Sequence, residues 1–442
     1  MSGDKGTFRK NIVWQLVGNG GQSLIGVVTL VLMGRTLGTH DFGVFAIVMG
    51  LVYVATGLFE PRMQDVAAKQ FWNIGAPDTV EQHIPYFLDL LLVETLAKLL
   101  PCLVLVAISP LLVEINQLDH NYAIIPVAAL GYYLAKIGNG LALGTLRVLG
   151  RSDLSSACLI GEQALRLAIM VVMVMVGYLT ALDAVIALCA AGIVANLVQW
   201  WFVRRQFRRV HVDLKGWRWR EALERLEKNK VLLLSNLGLS ASDLMNKDLD
   251  ITIVSPMMSP SAIGLYKMAK NIVMLAWKAI DPVYLALMPE MNRLVAQHRY
   301  AEVKRLVLRV TVGLLAFSLF LAAGLGGGTW LLGGFVFGAE FADIKYYIPY
   351  MLLGIVIAAP LIWGHSLLVA LDRPQGAVYG ILAGGLLGVA ALFLFTPELG
   401  LYGAILGWLV SFCLNFIFMA VAAWRRLNHV AHSADVTGAE QR

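Results

Sequence analysis

The sequence is poor in charged residues. Of its 442 residues, 14% are Asp, Glu, Lys or Arg, whereas 58% are hydrophobic and the mean hydropathy is +0.71. A soluble domain usually carries about 25% charged residues. This composition excludes an ordinary soluble protein and indicates a chain that lies largely within a membrane.

Cysteine is also scarce, and the residues that catalysis or metal binding would need do not cluster. Cys102, Cys158, Cys189 and Cys413 all lie in apolar segments, and no two of them form a CxxC spacing. This argues against a disulfide or zinc framework. The sequence contains no nucleophile–base constellation and no phosphate-cradling motif. We therefore expect no enzymatic activity, no metal site and no cofactor.

Long hydrophobic runs are abundant. A helix of about 20 residues crosses the hydrocarbon core of a bilayer, so twelve helices take ~240 residues and leave ~15 for each connection. Connections this short cannot hold a soluble domain of ~50 residues or more. The runs predict spans at approximately 11–33, 42–59, 85–107, 122–145, 157–179, 184–203, 231–253, 262–288, 310–331, 347–370, 377–395 and 401–424.

The placement of Lys and Arg predicts the orientation of these spans. Most of the 35 cationic residues fall on the side that holds both chain ends, whereas Arg35 and Lys345 fall on the opposite side. Cytoplasmic loops carry an excess of Lys and Arg, so both ends are predicted to be cytoplasmic. The net charge of +6 is assigned to these loops and not to nucleic-acid binding. The first apolar run is too long for a signal peptide, which indicates a retained helix.

Four segments follow from this topology. We predict an N-terminal six-helix lobe over 1–203, a cytoplasmic linker over 204–230, a C-terminal six-helix lobe over 231–426 and a disordered cytoplasmic tail over 427–442. The linker contains RRQFRRV and WRWREALERLEKNK. It is either a cationic connection that sets the topology or a basic amphipathic helix at the membrane surface.

The two lobes match at an offset of half the chain. Adding 221 places Asp41-Phe42-Gly43 on Ala262-Ile263-Gly264 and Glu60-Pro61 on Asp281-Pro282, and adding 222 places Gly150-Arg151 on Asp372-Arg373. Chance matching between apolar helices is the alternative, but acid–proline pairs and loop residues also match. An even number of spans per lobe gives a parallel repeat. The predicted fold is therefore an all-α polytopic membrane protein, with twelve transmembrane helices in two six-helix lobes related by a pseudo-twofold axis around a central cavity.

Ionisable residues inside the spans define the candidate site, because a charge near the bilayer centre costs at least ~2.5–3.5 kcal/mol on insertion scales. In spans 7 and 8, the spacing of the ionisable residues places them on one face of each helix. Either they cancel as ion pairs, or they form a wet wall that attracts an anion such as a diphosphate. The candidate diphosphate ligands are Lys267, Lys270, Lys278, Lys247 and Arg35, and the candidate ion-coupling or charge-pairing residues are Asp243, Asp250, Asp281, Glu162 and Arg166.

The first lobe has a neutral polar stripe in span 1, formed by Gln15, Asn19 and Gln22, which we expect to face sugar. Two i,i+4 pairs in the favourable acid-first order, Glu94 with Lys98 and Glu162 with Arg166, are expected to neutralise each other locally.

Two other polar or aromatic positions inside the spans have more than one interpretation. His365 is either a proton carrier or a residue of helix packing. Trp200 and Trp201, near the inner end of span 6, are expected to form an interfacial belt.

Three segments resemble oligosaccharide flippases of the polysaccharide-biosynthesis transporter family. They are LGTHDFGVFAIV between spans 1 and 2, LDITIVSPMMSPSAIGLYKMA over 249–269, and GLYGAILGWLVS over 400–411. In that family an Asp closes span 7 and a Gly-x-Tyr opens span 8, which correspond here to Asp250, Gly264 and Tyr266.

The resemblance implies a function and partners. An undecaprenyl-diphosphate-linked glycan would move from the cytoplasmic to the periplasmic leaflet of a bacterial inner membrane, for O-antigen, capsule or exopolysaccharide synthesis. The implied mechanism is alternating access coupled to an ion gradient. The implied partners are this lipid-linked glycan, membrane lipid, and the polymerase and chain-length machinery of polysaccharide synthesis.

Multidrug-and-toxin extruders and peptidoglycan-precursor flippases share the fold of that family. The peptidoglycan-precursor flippases usually have more than twelve spans, which disfavours that branch. An antiporter for small cationic drugs is the second candidate. Its cavity should be net acidic and aromatic, so the lysines of span 8 argue against it.

Overall fold

The computed structural model describes residues 4–60, 63, 84–119, 121–177, 179–207, 224, 227 and 248–440. Within these ranges the regular secondary structure is helical, with no β-strand. The all-α prediction is confirmed. Most of the predicted linker over 204–230 and of span 7, including Asp243 and Lys247, lies outside the described residues.

The first half of the described chain contains six helices. They are α1 (Asp4–Leu58), α2 (Ile84–Ile115), α3 (Ile124–Lys136), α4 (Asn139–Val148), α5 (Ser152–Val176) and α6 (Ala181–Phe207).

The second half of the described chain contains eight helices. Its helices are α7 (Leu249–Val254), α8 (Pro260–Lys278), α9 (Asp281–Ala296), α10 (Tyr300–Phe337), α11 (Ile344–Ala358), α12 (Trp363–Ala370), α13 (Gln375–Leu399) and α14 (Leu401–Glu440). Three single 3₁₀ turns, Ser255–Met257, Ala339–Phe341 and Ala359–Leu361, lie between them.

Nine helical stretches of the described residues, or ten if the bent pair α8–α9 counts as one span, are long and apolar enough to cross a membrane. The first stretch covers predicted spans 1 and 2, because α1 runs through a break at Gly38, where φ is 68°. The chain is therefore a multi-pass membrane protein. The number twelve stays a prediction, since predicted span 7 is only partly described.

The helices pack as two units. One comprises Met1–Leu37 and Val44–Leu244, and the other comprises Gly38–Gly43 and Met245–Arg442. Each unit has its own apolar core: Leu90, Leu141 and Val203 are buried in the first, and Met291 and Leu367 in the second. The exact limits of the predicted lobes and linker stay a prediction, because undescribed residues lie between them.

Equivalent helix ends support the predicted repeat. Gly150 and Asp372 both adopt a positive φ, 69° and 53° respectively. The next residue in each case donates its N–H to a carbonyl five positions back: Arg151 to Leu146 and Arg373 to Leu368, both at 2.9 Å. This is the hydrogen bond of a Schellman motif. The 222-residue offset therefore relates two copies of one backbone conformation.

Two broken spans also match at that offset. Predicted span 4 is interrupted between α3 and α4 at Ile137 and Gly138, and predicted span 10 is interrupted by the turn Ala359–Leu361. Residues 137 and 138 plus 222 give 359 and 360. Broken helices at membrane depth are tolerated where other groups satisfy the freed backbone.

A third match is a close approach of two glycines within the second unit. A Cβ added to Gly43 would lie 1.7 Å from the Pro260 carbonyl oxygen, and one added to Gly264 would lie 2.0 Å from the Thr39 carbonyl oxygen. Both pairs are related by 221, so the contact is reciprocal under the repeat. Only glycine permits this distance between backbones.

The end of the chain differs from the expectation. Residues 427–440, predicted to be disordered, continue α14 as helix. This segment contains no proline that would end a helix. Its polarity alone therefore did not indicate disorder.

Candidate functional site

The break between α3 and α4 lies beside a buried ion pair on α2. Lys98 Nζ donates to Glu94 Oε1 at 2.6 Å and to the Lys136 carbonyl at the end of α3 at 2.9 Å. The Glu94 carboxylate accepts from the N–H groups of Gly140 and Leu141, at 2.9 and 3.1 Å. The cation therefore meets the C-terminus of one half-helix, and the anion meets the N-terminus of the other. Both contacts have the favourable sign for a helix dipole.

Side chains of α6 form further hydrogen bonds at the break. The Ile137 carbonyl accepts hydrogen bonds from Asn196 Nδ2 at 3.0 Å and from Trp200 Nε1 at 3.2 Å. Asn139 donates to the buried Gln199 Oε1 at 2.7 Å. Trp200 thus stabilises the break, and its place in an interfacial belt stays a prediction. Trp201 is 54% exposed, as a belt residue would be.

The predicted pair of Glu94 and Lys98 is confirmed, whereas Glu162 binds a different cation from the one expected. Glu162 Oε1 lies 3.0 Å from Lys136 Nζ, and Arg166 donates to Gln163. An i,i+4 spacing identifies neighbours on one helix only, and Lys136 at the end of α3 reaches Glu162 from a different helix. The spacing of residues within one helix could not identify Lys136 as the partner of Glu162.

In the second unit, two of the predicted diphosphate ligands are neutralised. Lys267 Nζ lies 2.7 Å from Asp248 Oδ1, and Lys270 Nζ lies 2.8 Å from Asp250 Oδ1. Tyr266, which is fully buried, donates its hydroxyl to Asp250 Oδ2. The cluster matches the alternative in which the charges of spans 7 and 8 cancel.

The helix that carries the predicted ligands Lys267, Lys270 and Lys278 does not continue straight to Asp281. α8 ends at Lys278 and α9 begins at Asp281, with a bend of 41° between them. Lys267, Lys270 and Lys278 therefore lie on α8, whereas Asp281 lies beyond the bend. Lys278 is exposed at the bend, and no described carboxylate lies within ion-pair distance of it. Asp281 is also exposed.

The remaining predicted residues are spread over α1. Arg35 is exposed and precedes the break at Gly38. Asn19 is exposed and Gln22 is partly buried, whereas the side chain of Gln15 lies outside the described part. The Asn19 carbonyl accepts a hydrogen bond from Ser23 at 2.9 Å. Their predicted role toward sugar is untested and stays a prediction.

His365 has a packing partner. Its Nδ1 lies 2.9 Å from the Tyr284 hydroxyl, which joins α12 to α9. This contact supports the interpretation of His365 as a residue of helix packing.

Similarity to solved structures shows the class of fold, which this chain shares with membrane transporters of the MOP superfamily. An inward-facing multidrug resistance MATE family transporter of that superfamily aligns with a TM-score of 0.69 and 14% identity, over 92% of this chain and 95% of the other. The lipid II flippase MurJ in an inward closed conformation aligns with a TM-score of 0.64 and 10% identity, over 96% and 91%. A MOP superfamily transporter from Pyrococcus furiosus aligns with a TM-score of 0.50 and 14% identity, over 95% and 93%.

A sequence model of the family described as polysaccharide biosynthesis protein matches residues 8–295. The chain belongs to this family, and the resemblance found in its sequence is confirmed. No curated protein matches it significantly. Family and fold together define a multi-pass membrane protein of polysaccharide biosynthesis.

Proposed function

We propose that this transporter moves an undecaprenyl-diphosphate-linked oligosaccharide from the cytoplasmic to the periplasmic leaflet of a bacterial inner membrane. The glycan would serve O-antigen, capsule or exopolysaccharide synthesis. The observation that carries this proposal is the family match over residues 8–295. The similarity to the lipid II flippase MurJ supports a lipid-linked substrate on this fold.

The distribution of charge within the described residues is compatible with an anionic substrate. Most intramembrane acids are already bound to cations: Glu94 to Lys98, Glu162 to Lys136, and Asp250 to Lys270. An exporter of cationic drugs would need acids left available to the drug. Lys278 is exposed at a helix bend, where its point charge is available to an anionic group of the glycan.

We further propose that transport proceeds by alternating access without covalent chemistry, with both chain ends in the cytoplasm. Paired intramembrane acids such as Asp250 are the candidates for coupling to an ion gradient. Separation of Asp250 from Lys270 would leave both charges buried without a partner, which is costly unless transport compensates it.

The experiment is deletion in the native host, followed by complementation. Loss of the protein should cause the undecaprenyl-linked glycan to accumulate on the cytoplasmic face, and the wild-type chain should restore surface glycan. Lys278→Gln should restore it poorly, whereas the control Lys304→Gln should restore it fully. Unchanged glycan together with altered sensitivity to cationic drugs would instead support the antiporter.

Reconstitution tests the reaction directly. Proteoliposomes that contain a fluorescent undecaprenyl-diphosphate sugar should show protein-dependent movement of the label between leaflets, and the label should be recovered with unchanged mass. A change in mass would reveal chemistry and overturn the transport assignment. No movement in the presence of a proton or sodium gradient would contradict the flippase.

A further inference from the structure

A cavity of about 210 Å³ lies between α5 and α6 of the first unit. Apart from one carboxylate its lining is apolar or small. The lining residues are Ala157, Cys158, Gly161, Glu162 and Leu165 of α5, and Val194, Ala195, Val198 and Phe202 of α6.

The cavity exists because small side chains of the two helices face each other. Gly161 lacks a side chain, and a Cβ added there would meet no atom within 4 Å. Around it, Val194, Val198 and Leu197 are 46%, 40% and 64% exposed. Exposed apolar side chains on a membrane-spanning helix face hydrocarbon. The cavity is therefore a groove on the lipid-facing side of this helix pair.

The groove ends at charged groups, which a groove for bulk lipid chains would not need. Glu162 lines it and is bound to Lys136 of α3 at 3.0 Å. A Cβ added at Gly192 of α6 would lie 3.7 Å from Glu162 Oε1, so α3, α5 and α6 meet around this carboxylate. Arg166 is one helical turn further along the Glu162 face.

One of the two cations near Glu162 is not saturated. Arg166 donates to Gln163, but its buried Nε has no acceptor among the described residues. Lys136, Arg166 and Glu162 together carry one excess positive charge. A buried donor without an acceptor is costly, and an anion would remove that cost.

We infer that this groove holds the part of a polyprenyl chain nearest the diphosphate, and that Lys136 and Arg166 bind the phosphate. The inference rests on the proposed function and assigns its lipid-binding surface to α5 and α6. The apolar lining matches a hydrocarbon chain, and the excess positive charge with the unsatisfied Arg166 donor matches a dianionic end group on the same molecule. The substrate would thus keep its chain in the bilayer while its head group reaches the polar interior of the first unit.

The first test fills the groove. Gly161→Leu places a side chain in the open space, so it should weaken binding of undecaprenyl diphosphate to the purified protein in nanodiscs by roughly 10-fold or more, the cost of displacing a few buried methylene groups. Gly313→Leu is the matched control, because a Cβ at Gly313 of α10 also meets no atom within 4 Å. Its binding should equal that of the wild type.

The second test removes the charges as a neutral pair. The double variant Lys136→Met with Glu162→Gln should weaken undecaprenyl diphosphate roughly 10- to 100-fold, as expected for loss of a charged hydrogen bond. Binding of undecaprenol, which lacks phosphate, should be unaffected by this variant and still weakened by Gly161→Leu. A merely structural role of the pair would reduce both ligands alike.

A benzophenone side chain at Val198 supplies a measurement that does not depend on filling the groove. It should crosslink to undecaprenyl diphosphate, and excess phosphatidylglycerol should not compete. Crosslinks to phosphatidylglycerol alone, or equal binding by Gly161→Leu and the wild type, would overturn the groove assignment while leaving the proposed function intact. No binding of undecaprenyl diphosphate by the wild type would overturn both.

Discussion

Single buried charges in this protein hold backbone as well as one another. The Glu94 carboxylate, 1% exposed, accepts from one ammonium group and from two N–H groups at the start of α4. Lys98, 3% exposed, is shared between Glu94, Glu60 at 3.5 Å and the last carbonyl of α3. Neither charge can be removed alone without leaving its partner buried and uncompensated.

We predict that Glu94→Gln lowers stability by about 3 kcal/mol or more, the usual cost of breaking a buried ion pair from one side. Reversible unfolding in mixed micelles measures it. The double variant Glu94→Gln with Lys98→Met should recover part of the loss, because no buried charge is then left unpaired. Glu290→Gln, which removes an exposed i,i+3 partner of Arg293, is the control and should leave the midpoint unchanged. Equal midpoints for Glu94→Gln and Glu290→Gln would contradict this account.

The helices that break are as important to this fold as those that span without interruption. Span 4 ends one helix at Lys136 and starts another at Asn139, and Gly138 between them has a φ of 62°. The equivalent break in span 10 is satisfied by uncharged groups: Thr311 donates to the Pro360 carbonyl at 3.2 Å. Discontinuous helices mark binding regions in many transporters. The first unit, which uses charges at its break, is therefore where we place the substrate's phosphate.

Replacement of Gly138 tests the break in span 4. A Cβ there would lie 2.4 Å from Trp200 and 2.6 Å from Leu91, in addition to the left-handed strain. Gly150 has a similar φ of 69°, but a Cβ there meets no atom within 4 Å. Gly150→Ala should therefore cost only the roughly 1–2 kcal/mol of left-handed strain. Gly138→Ala should cost clearly more and lower transport as well. If both variants unfold at the same temperature, the contacts around Gly138 do not stabilise the break.

At the scale of the whole molecule, the repeat is expressed in backbone conformation more than in side chains. Schellman ends, broken spans and the reciprocal glycine contact recur at 221 or 222 residues. The charges do not recur: Lys267 and Lys270 correspond to Ala46 and Met49 at an offset of 221. The backbone plan was therefore retained in both halves while their interiors took different chemistry.

The repeat predicts that Gly43 and Gly264 are equally intolerant of a side chain. Gly43→Ala and Gly264→Ala should each reduce the thermal midpoint strongly and by similar amounts, since each Cβ meets a backbone carbonyl that cannot rotate away. Gly26→Ala in α1 is the control, because a Cβ there meets nothing within 4 Å. It should be neutral or slightly stabilising, as for alanine in a helix. A loss in only one of the two variants would show that the contact is not reciprocal.

The orientation of the chain is a separate prediction. Because cations concentrate in the loops on the side of the chain ends, alkaline phosphatase fused after Asp372 should be inactive, and a fusion after Gly400 should be active. Green fluorescent protein at the C-terminus should fluoresce. The reverse pattern of activities would invert the topology and the direction of transport we propose.

The amino-acid sequence alone was enough to predict the class of fold, because apolar runs of about 20 residues cross a bilayer as helices, which satisfy their own backbone polar groups. It also showed the offset of the repeat, the Glu94–Lys98 pair and the family. Which charged residues pair with each other became known from the tertiary structure. Lys136 reaches Glu162 from another helix, Lys267 and Lys270 are neutralised by Asp248 and Asp250, and spans 4 and 10 break. Spacing along one helix cannot specify partners on a neighbouring helix, since these depend on how the helices pack.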